Sequence, residues 1–123
     1  MAIAVRSIDH VNVTVPRALE SAARRFYGEV LGLAEIAKPG ALHGRGGAWF
    51  QVGPVQLHLS IEEFDAAPSR RHVCFVVADL VAARVSLQAA AVEILPDDRP
   101  VPGWSRFYVC DPGGNRIEIA QPA

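Results

Sequence analysis

The sequence predicts an α+β fold in which a βαβββ module occurs twice. Three observations predict it: several segments alternate apolar and polar residues as strands do, two segments show helical spacing, and both halves of the chain present these elements in the same order. With 123 residues, 50% of them hydrophobic, the chain is long enough to bury a core. We therefore expect a single domain, 1–123, made of two modules at about 5–62 and 69–121.

The first half predicts one strand, one helix and three further strands. Residues 7–15, "SIDHVNVTV", alternate between apolar and polar side chains. Pro16 suits the first turn of the helix that follows, and Gly32 is a typical residue at a helix end. A short strand is expected at 33–37, and "AWFQVGPVQLHLSI" predicts a hairpin that turns at 53–54.

The second half predicts the same order. "RRHVCFVVA" is typical of a strand, and Asp79 is a suitable N-cap for a helix over 80–90. "AVEIL" predicts a short strand, and "WSRFYVCDPGGNRIEIAQ" predicts a hairpin that turns at 111–115. The two cysteines, Cys74 and Cys110, are too few for a disulfide framework, and we expect Cys74 to be a small core residue.

Composition limits the partners. Twelve Lys and Arg against thirteen Asp and Glu leave a net charge of −1, which argues against nucleic acid or an anionic membrane as the main partner. No apolar run approaches the roughly 20 residues that span a bilayer. The N-terminus enters strand-like alternation without the pattern of a secretory signal, so we expect a cytoplasmic protein.

Four potential metal ligands occupy matching positions in the two modules, where His10 corresponds to His72 and His58 to Glu118. Strand alternation places each on the face opposite its large aliphatic neighbours. A sheet with helices on one face would gather the four side chains in a cavity on the other, where imidazole and carboxylate suit one divalent Zn, Fe, Ni or Mn ion. The alternative, a polar residue on a half-exposed strand, is plausible for each alone but less so for all four.

The expected hairpin register extends this site. A two-residue turn in the first hairpin pairs Trp49 with His58, and a five-residue turn in the second pairs Tyr108 with Glu118. The residues expected to line the cavity and bind substrate are Trp49, Gln51, Arg106 and Tyr108. The alternative for the two aromatic residues is an ordinary packing role.

Four segments, "IDHVNVTV", "FYGEVLGL", "RHVCFVVADL" and "RFYVCDPGGNRIEI", resemble hallmark segments of the vicinal oxygen chelate superfamily. That group includes glyoxalase I, extradiol dioxygenases, methylmalonyl-CoA epimerase, and fosfomycin- and bleomycin-resistance proteins. The resemblance runs nearly end to end and implies a U-shaped mixed sheet around a divalent metal. By position, His10, His72 and Glu118 match the ligands shared by the dioxygenase and fosfomycin-resistance branches. Tyr108 resembles a substrate-contacting tyrosine of the latter.

The resemblance also implies a reaction class. In this superfamily a metal binds two neighbouring oxygens of a small substrate and stabilises an oxyanion or enolate, in lyases, isomerases or dioxygenases. Where glyoxalase I has a glutamate on the fourth strand, this chain has His58, which is either a fourth ligand or a general base. We take His58 and Glu118 as the candidate catalytic residues.

Two further expectations follow from the resemblance. A metal-free protein that only binds a small molecule, like the bleomycin-resistance members, is the alternative function, although those members lack the ligand set that this chain retains. The relatives glyoxalase I and the fosfomycin-resistance proteins pair modules across two chains. We therefore expect a homodimer, whose site lies within one chain or is shared by two.

Overall fold

Two four-stranded mixed sheets carry the fold, one in each half of the chain. They are described in a computed structural model that covers residues 1–123. The chain divides into two compact units, Met1–Glu63 and Phe64–Ala123. The predicted α+β class and the repeated order of elements are confirmed.

The first unit contains four strands and one interrupted helix. Its elements are β1 (His10–Val15), a 3₁₀ turn (Arg17–Leu19), α1 (Glu20–Arg25), a π-helical turn (Phe26–Val30), β2 (Ala34–Ile36), a 3₁₀ turn (Gly40–Leu42), β3 (Ala48–Val52) and β4 (Val55–Ile61). The strand order is β1-β4-β3-β2, with β1 parallel to β4 and the other pairs antiparallel. Strand β1 begins at His10 rather than at residue 7. Its partner β4 starts only after the hairpin turn, so the earlier residues have no strand to pair with.

One face of the first sheet is covered by the helix. The helical segment follows Pro16 and ends before Gly32, whose φ of +73° suits glycine, as the sequence predicts. Phe26 and Tyr27 are buried, and the ring centroid of Tyr27 lies 6.2 Å from that of Phe50 on β3. The alternate residues of β3 and β4 therefore lie on the other face of the sheet.

The second unit repeats this arrangement. Its elements are β5 (His72–Val76), α2 (Leu80–Ala89), β6 (Leu95–Pro96), β7 (Trp104–Cys110) and β8 (Arg116–Pro122). The strand order is β5-β8-β7-β6, and β5 is parallel to β8. Asp79 is the N-cap of α2, as predicted, and its side chain accepts a hydrogen bond from the Ala82 N–H at 3.0 Å. None of the helices has the length and apolar character needed to cross a membrane.

The strand predicted for "AVEIL" is shorter and begins later than expected, because the end of α2 uses these residues. Ala91 has a φ of +60°, and the Val92 N–H bonds to the Leu87 carbonyl at 2.9 Å, which closes the helix. Only Leu95 of the predicted segment reaches β7, where it lies opposite Tyr108.

Candidate functional site

Both hairpins have the register that the sequence predicts. In the first unit Trp49 lies opposite His58, and in the second Tyr108 lies opposite Glu118. The parallel strand β5 adds Cys74 beside Glu118. By alternation, these residues share the sheet face opposite the buried aliphatic side chains of each unit.

Three rings of the first unit are stacked on one another. They belong to Trp49, His58 and His10, which together form the stacked cluster. The Trp49 and His58 rings lie 3.7 Å apart with planes at 2°, and the His10 and His58 rings lie 4.1 Å apart at 14°. His58, in the middle, is 7% exposed, whereas the His10 side chain is 44% exposed. The stack therefore fixes the orientation of the His58 ring and leaves His10 at its open end.

Hydrogen bonds determine which nitrogen of each stacked histidine is free. His10 Nδ1 lies 2.8 Å from a carboxylate oxygen of Asp9, and His58 Nε2 lies 2.9 Å from the amide oxygen of Gln56. Both acceptors require a proton on the nitrogen, so the neutral rings keep their lone pairs on His10 Nε2 and His58 Nδ1. Burial and then the charge of His10 lower the pKa of His58, and the opposing effect of Asp9 is smaller. His58 is thus a neutral base at pH 7.

Stacking also limits what the two histidines can bind. A metal ion binds an imidazole nitrogen along its lone pair, which lies in the ring plane. Nearly parallel planes 4.1 Å apart do not meet near either ring. While they are stacked, His10 and His58 therefore cannot bind the same ion.

In the second unit, four polar side chains lie around the Glu118 carboxylate. Together with Glu118 they form the carboxylate cluster, whose other members are His72, Cys74, Tyr108 and Arg106. The Tyr108 hydroxyl donates to Glu118 Oε1 at 3.0 Å, and the Cys74 thiol donates to Oε2 at 3.1 Å. His72 Nε2 lies 3.2 Å from Oε1, and Arg106 Nη1 lies 3.4 Å from it. Glu118 is 8% exposed, so these contacts replace most of its hydration.

The cluster keeps Glu118 ionised and the Cys74 thiol and the Tyr108 hydroxyl protonated. Burial alone would raise the pKa of Glu118, but hydrogen bonds from Cys74 and Tyr108, together with the charges of Arg106 and His72, lower it below its usual range. Burial and the bond to Glu118 raise the pKa of Tyr108. The same two causes raise the pKa of Cys74 to about 12. The thiol is therefore a hydrogen-bond donor at neutral pH, not a thiolate nucleophile.

The donor atoms of His72 and Glu118 fit a divalent cation. His72 Nδ1 lies 2.7 Å from the Arg70 carbonyl oxygen, which fixes a proton on Nδ1. In the neutral ring the Nε2 lone pair then faces Glu118 Oε1 across 3.2 Å. Two electron-pair donors directed at one point suit a cation between them, and imidazole with carboxylate is a usual pair of ligands for one.

Two of the predicted substrate-binding side chains have partners within the chain. Arg106 forms an ion pair with Asp97 at 2.8 Å, which raises the pKa of the guanidinium and lowers that of the carboxyl. The Gln51 amide donates to the Gly53 carbonyl at 2.7 Å, so it closes the first hairpin turn.

Two residues on this face of the second unit, Cys74 and Arg116, were not predicted from the sequence to lie at the site. Cys74 is exposed and donates to Glu118, which corrects its prediction as a core residue. It follows His72 by two positions on one strand, so alternation would have placed both on the same face. Arg116 lies on that face too, two positions before Glu118, with its guanidinium carbon 4.0 Å from the Tyr108 ring centroid.

Each unit supplies a pair of the predicted metal ligands. His10 and His58 lie together in the first unit, and His72 and Glu118 in the second. Neither unit by itself gathers three His, Cys, Asp or Glu side chains that could hold a metal. His43 belongs to neither cluster, since its ring bonds to a backbone carbonyl in the glycine-rich loop.

A family profile and solved structures of related proteins indicate the same family for this chain. The profile of the "Glyoxalase/Bleomycin resistance protein/Dioxygenase superfamily" matches residues 7–119. A glyoxalase family protein from Bacillus anthracis is 40% identical, with a TM-score of 0.88 and coverage of 100% of both chains. A glyoxalase/dioxygenase from Nostoc punctiforme is 25% identical, with a TM-score of 0.80 over 100% of this chain and 96% of that one.

More distant structures share the fold alone. A fosfomycin resistance protein from Listeria monocytogenes is 15% identical, with a TM-score of 0.79 over 97% of this chain and 93% of that one. No curated protein matches the chain significantly.

Proposed function

The chain belongs to the Glyoxalase/Bleomycin resistance protein/Dioxygenase superfamily, and on that premise we propose that it is a divalent-metal-dependent enzyme. Its substrate is a small molecule that presents two neighbouring oxygens, and its reaction is of the lyase, isomerase or dioxygenase type. We assign His72 and Glu118 as metal ligands and His10 as the third ligand. Zn, Fe, Ni and Mn all suit this set.

The observation that carries the proposal is the 3.2 Å approach of His72 Nε2 to Glu118 Oε1. The Arg70 carbonyl holds the His72 proton on the far nitrogen, and Cys74 and Tyr108 hold the carboxylate from two sides. Such outer hydrogen bonds are typical of metal ligands, because they orient the ring and the carboxylate before the ion binds.

His10 supports the assignment as the third ligand. Asp9 bonds to its Nδ1, which is the same arrangement of carboxylate and imidazole that orients many metal-binding histidines. Its Nε2 is free, and its exposed side chain can turn out of the stack. His58 is buried in the middle of the stack, which favours a role as a base over one as a fourth ligand.

The residues of the chain then have distinct tasks. A divalent ion, when bound, supplies Lewis acidity toward the substrate oxygens. His58 accepts a proton from the substrate at Nδ1, while its Nε2–H stays bonded to Gln56 and Trp49 keeps the ring in place. Tyr108 holds Glu118 through its hydroxyl, and its ring lies nearly perpendicular to the His72 ring at a centroid distance of 5.6 Å.

All four predicted substrate-binding residues remain part of the proposal, but three of them have stronger support than the fourth. Tyr108 and Arg106 adjoin Glu118 directly, and Trp49 packs on the base, so these three are adjacent to the assigned ligands and base. Gln51 bonds to the hairpin turn, and it can contact substrate only through the amide atom that this bond leaves free.

A metal-free binding protein is the second candidate. The flat faces of the stacked cluster favour it, because stacked aromatic and imidazole rings suit a planar ligand. In that case the carboxylate cluster would be a self-sufficient polar network, with Glu118 held by Cys74, Tyr108 and Arg106.

We also propose a homodimer in the cytoplasm. Strands β1 and β2 are the edges of one sheet and β5 and β6 of the other, and pairing with a second copy is a common way to cover such edges. Both cysteines are free thiols, which suits a reducing compartment. Light scattering at micromolar concentration should give twice the 13.2 kDa of one chain, and a mass near 13.2 kDa would contradict the dimer.

Metal analysis tests the enzymatic proposal. Protein purified without a histidine tag and dialysed against Zn, Fe, Ni or Mn should retain about one ion per chain by mass spectrometry. H72N should lose the ion. H43N is the matched control, since it removes a histidine outside both clusters and should keep the ion. If wild-type protein retained none of the four metals, the metal-free binding function would replace this proposal.

A further inference from the structure

Arg116 lies next to the assigned ligands but takes part in none of their bonds. On the parallel strands it is the register partner of His72, and across the hairpin it lies opposite Cys110. Its guanidinium carbon stands 4.0 Å from the Tyr108 ring centroid, which is a close cation–π contact. The ring thus holds a positive charge beside the pair of His72 and Glu118.

No carboxylate of the chain forms an ion pair with Arg116. Its Nε is buried without a hydrogen-bond partner. Arg106 on the same face differs, because it bonds to Asp97 at 2.8 Å and to the Arg99 carbonyl at 2.6 Å. The Arg116 guanidinium therefore has no anionic partner within the chain, and an anionic ligand can supply one.

We propose that Arg116 binds a carboxylate of the substrate. The planar fork of a guanidinium matches a carboxylate with two parallel hydrogen bonds, and stacking on Tyr108 orients that fork in advance. This inference rests on the proposed metal site at His72 and Glu118. It narrows the substrate to a small carboxylic acid whose two metal-binding oxygens are separate from the carboxylate that Arg116 recognises.

The reach of the two groups sets the size of that acid. The Arg116 guanidinium carbon lies 4.0 Å from the Tyr108 ring centroid and the His72 ring centroid lies 5.6 Å from it, so both groups adjoin the same ring. A carboxylate separated from the chelating oxygens by two or three carbon atoms can then contact the guanidinium while the oxygens stay at the metal.

Two chelators that differ by one carboxylate test the inference. Acetohydroxamate binds a metal through two neighbouring oxygens, and succinate monohydroxamate does the same and adds a carboxylate at this distance. We measure the Kd of each for zinc-loaded protein by isothermal titration calorimetry, in wild type, R116Q and R84Q. R84Q is the matched control, because it removes one positive charge of the same unit from a guanidinium that packs over Phe107.

Wild-type protein should bind succinate monohydroxamate about tenfold more tightly than acetohydroxamate, as expected for one charged hydrogen-bonded contact. R116Q should remove that preference and leave the Kd of acetohydroxamate within about twofold. R84Q should behave as wild type. A preference that persists in R116Q, or wild-type binding of both chelators with equal affinity, would overturn the role of Arg116. Failure of wild type to bind zinc or either chelator would instead overturn the metal site, and the inference with it.

Discussion

In the first unit His58 lies opposite Trp49 on the hairpin, and in the second Glu118 lies opposite Tyr108 at the equivalent position. The first pair is stacked ring on ring at 3.7 Å, whereas the second is joined by a hydrogen bond of 3.0 Å. The same backbone register therefore supports two kinds of contact. The side chains in each pair, Trp49 with His58 and Tyr108 with Glu118, decide which contact forms.

Because of this difference, the two units of a repeated fold can supply different chemical groups. In the ring stack, burial lowers the pKa of His58 and leaves this side chain free to accept a proton. The hydrogen-bond donors and positive charges around Glu118 lower its pKa, so the carboxylate stays negative and can bind a cation. Equivalent positions supply a base in one unit and an anionic ligand in the other.

Replacing His58 and Glu118 in turn tests whether the two units have different roles. E118Q should reduce zinc affinity at least 100-fold, about 2.7 kcal/mol, because it removes the only carboxylate assigned as a ligand. H58Q should leave zinc affinity within about threefold of wild type, since the stack keeps His58 from ligating beside His10. Competition with a fluorescent zinc chelator measures both values.

An equal loss of zinc in the two variants would show that His58 is a ligand, and the division of roles between the units would be wrong. If H58Q keeps zinc but loses turnover on a substrate once one is known, the role of His58 as base is supported.

The hairpins show how much of this site could be predicted from the sequence. Turn length sets hairpin register, and register with alternation places Trp49 opposite His58 and Tyr108 opposite Glu118. Stacking could not be predicted, because ring orientation depends on side-chain torsions that spacing does not determine. The role of Cys74 was missed for another reason: a cysteine in an apolar run is most often buried, and here alternation outweighs that tendency.

The ends of the two helices offer a second comparison. Gly32 after the first helix has a φ of +73°, and Ala91 after the second has a φ of +60°. An L side chain is strained at a positive φ of this size. Nothing lies within 4 Å of a Cβ added at Gly32, so the backbone conformation and not a clash disfavours alanine at this position. G32A should therefore lower the free energy of unfolding by about 1 kcal/mol, and A91G should raise it by a similar amount.

Urea unfolding measures both changes. A90G is the matched control, because Ala90 has a φ of −89° and gains nothing from glycine, so it should lower the free energy of unfolding slightly. A loss of stability in A91G would show that its backbone conformation is not strained.

The hydrogen bond from the Cys74 thiol to Glu118 can be tested separately from the rest of the carboxylate cluster. C74A removes one donor to Glu118 and should lower the free energy of unfolding by about 1 kcal/mol. C74S keeps a donor at the same position and should recover most of that loss. C110A is the control, since Cys110 is also exposed but lies outside the cluster. Equal destabilisation by C74A and C74S would indicate that packing around the sulfur matters, not the hydrogen bond.

The smallest effect concerns pH, and it separates the two units by where each loses stability. The pKa of His58 is lowered in the folded chain, so on acidification from neutral pH the unfolded chain takes up a proton at about 6.5 before the folded chain does. Stability therefore falls as the pH drops through 6.5 toward the lowered value. The pKa of Glu118 is also lowered, but from about 4.5, so its contribution to stability is intact above that pH and is lost only below it. In metal-free protein H58Q should flatten the dependence of unfolding free energy on pH just below about 6.5, and E118Q only that below about 4.5. Urea titrations across both windows measure the slopes. If H58Q left the upper window unchanged, the stack would not be what holds His58 neutral.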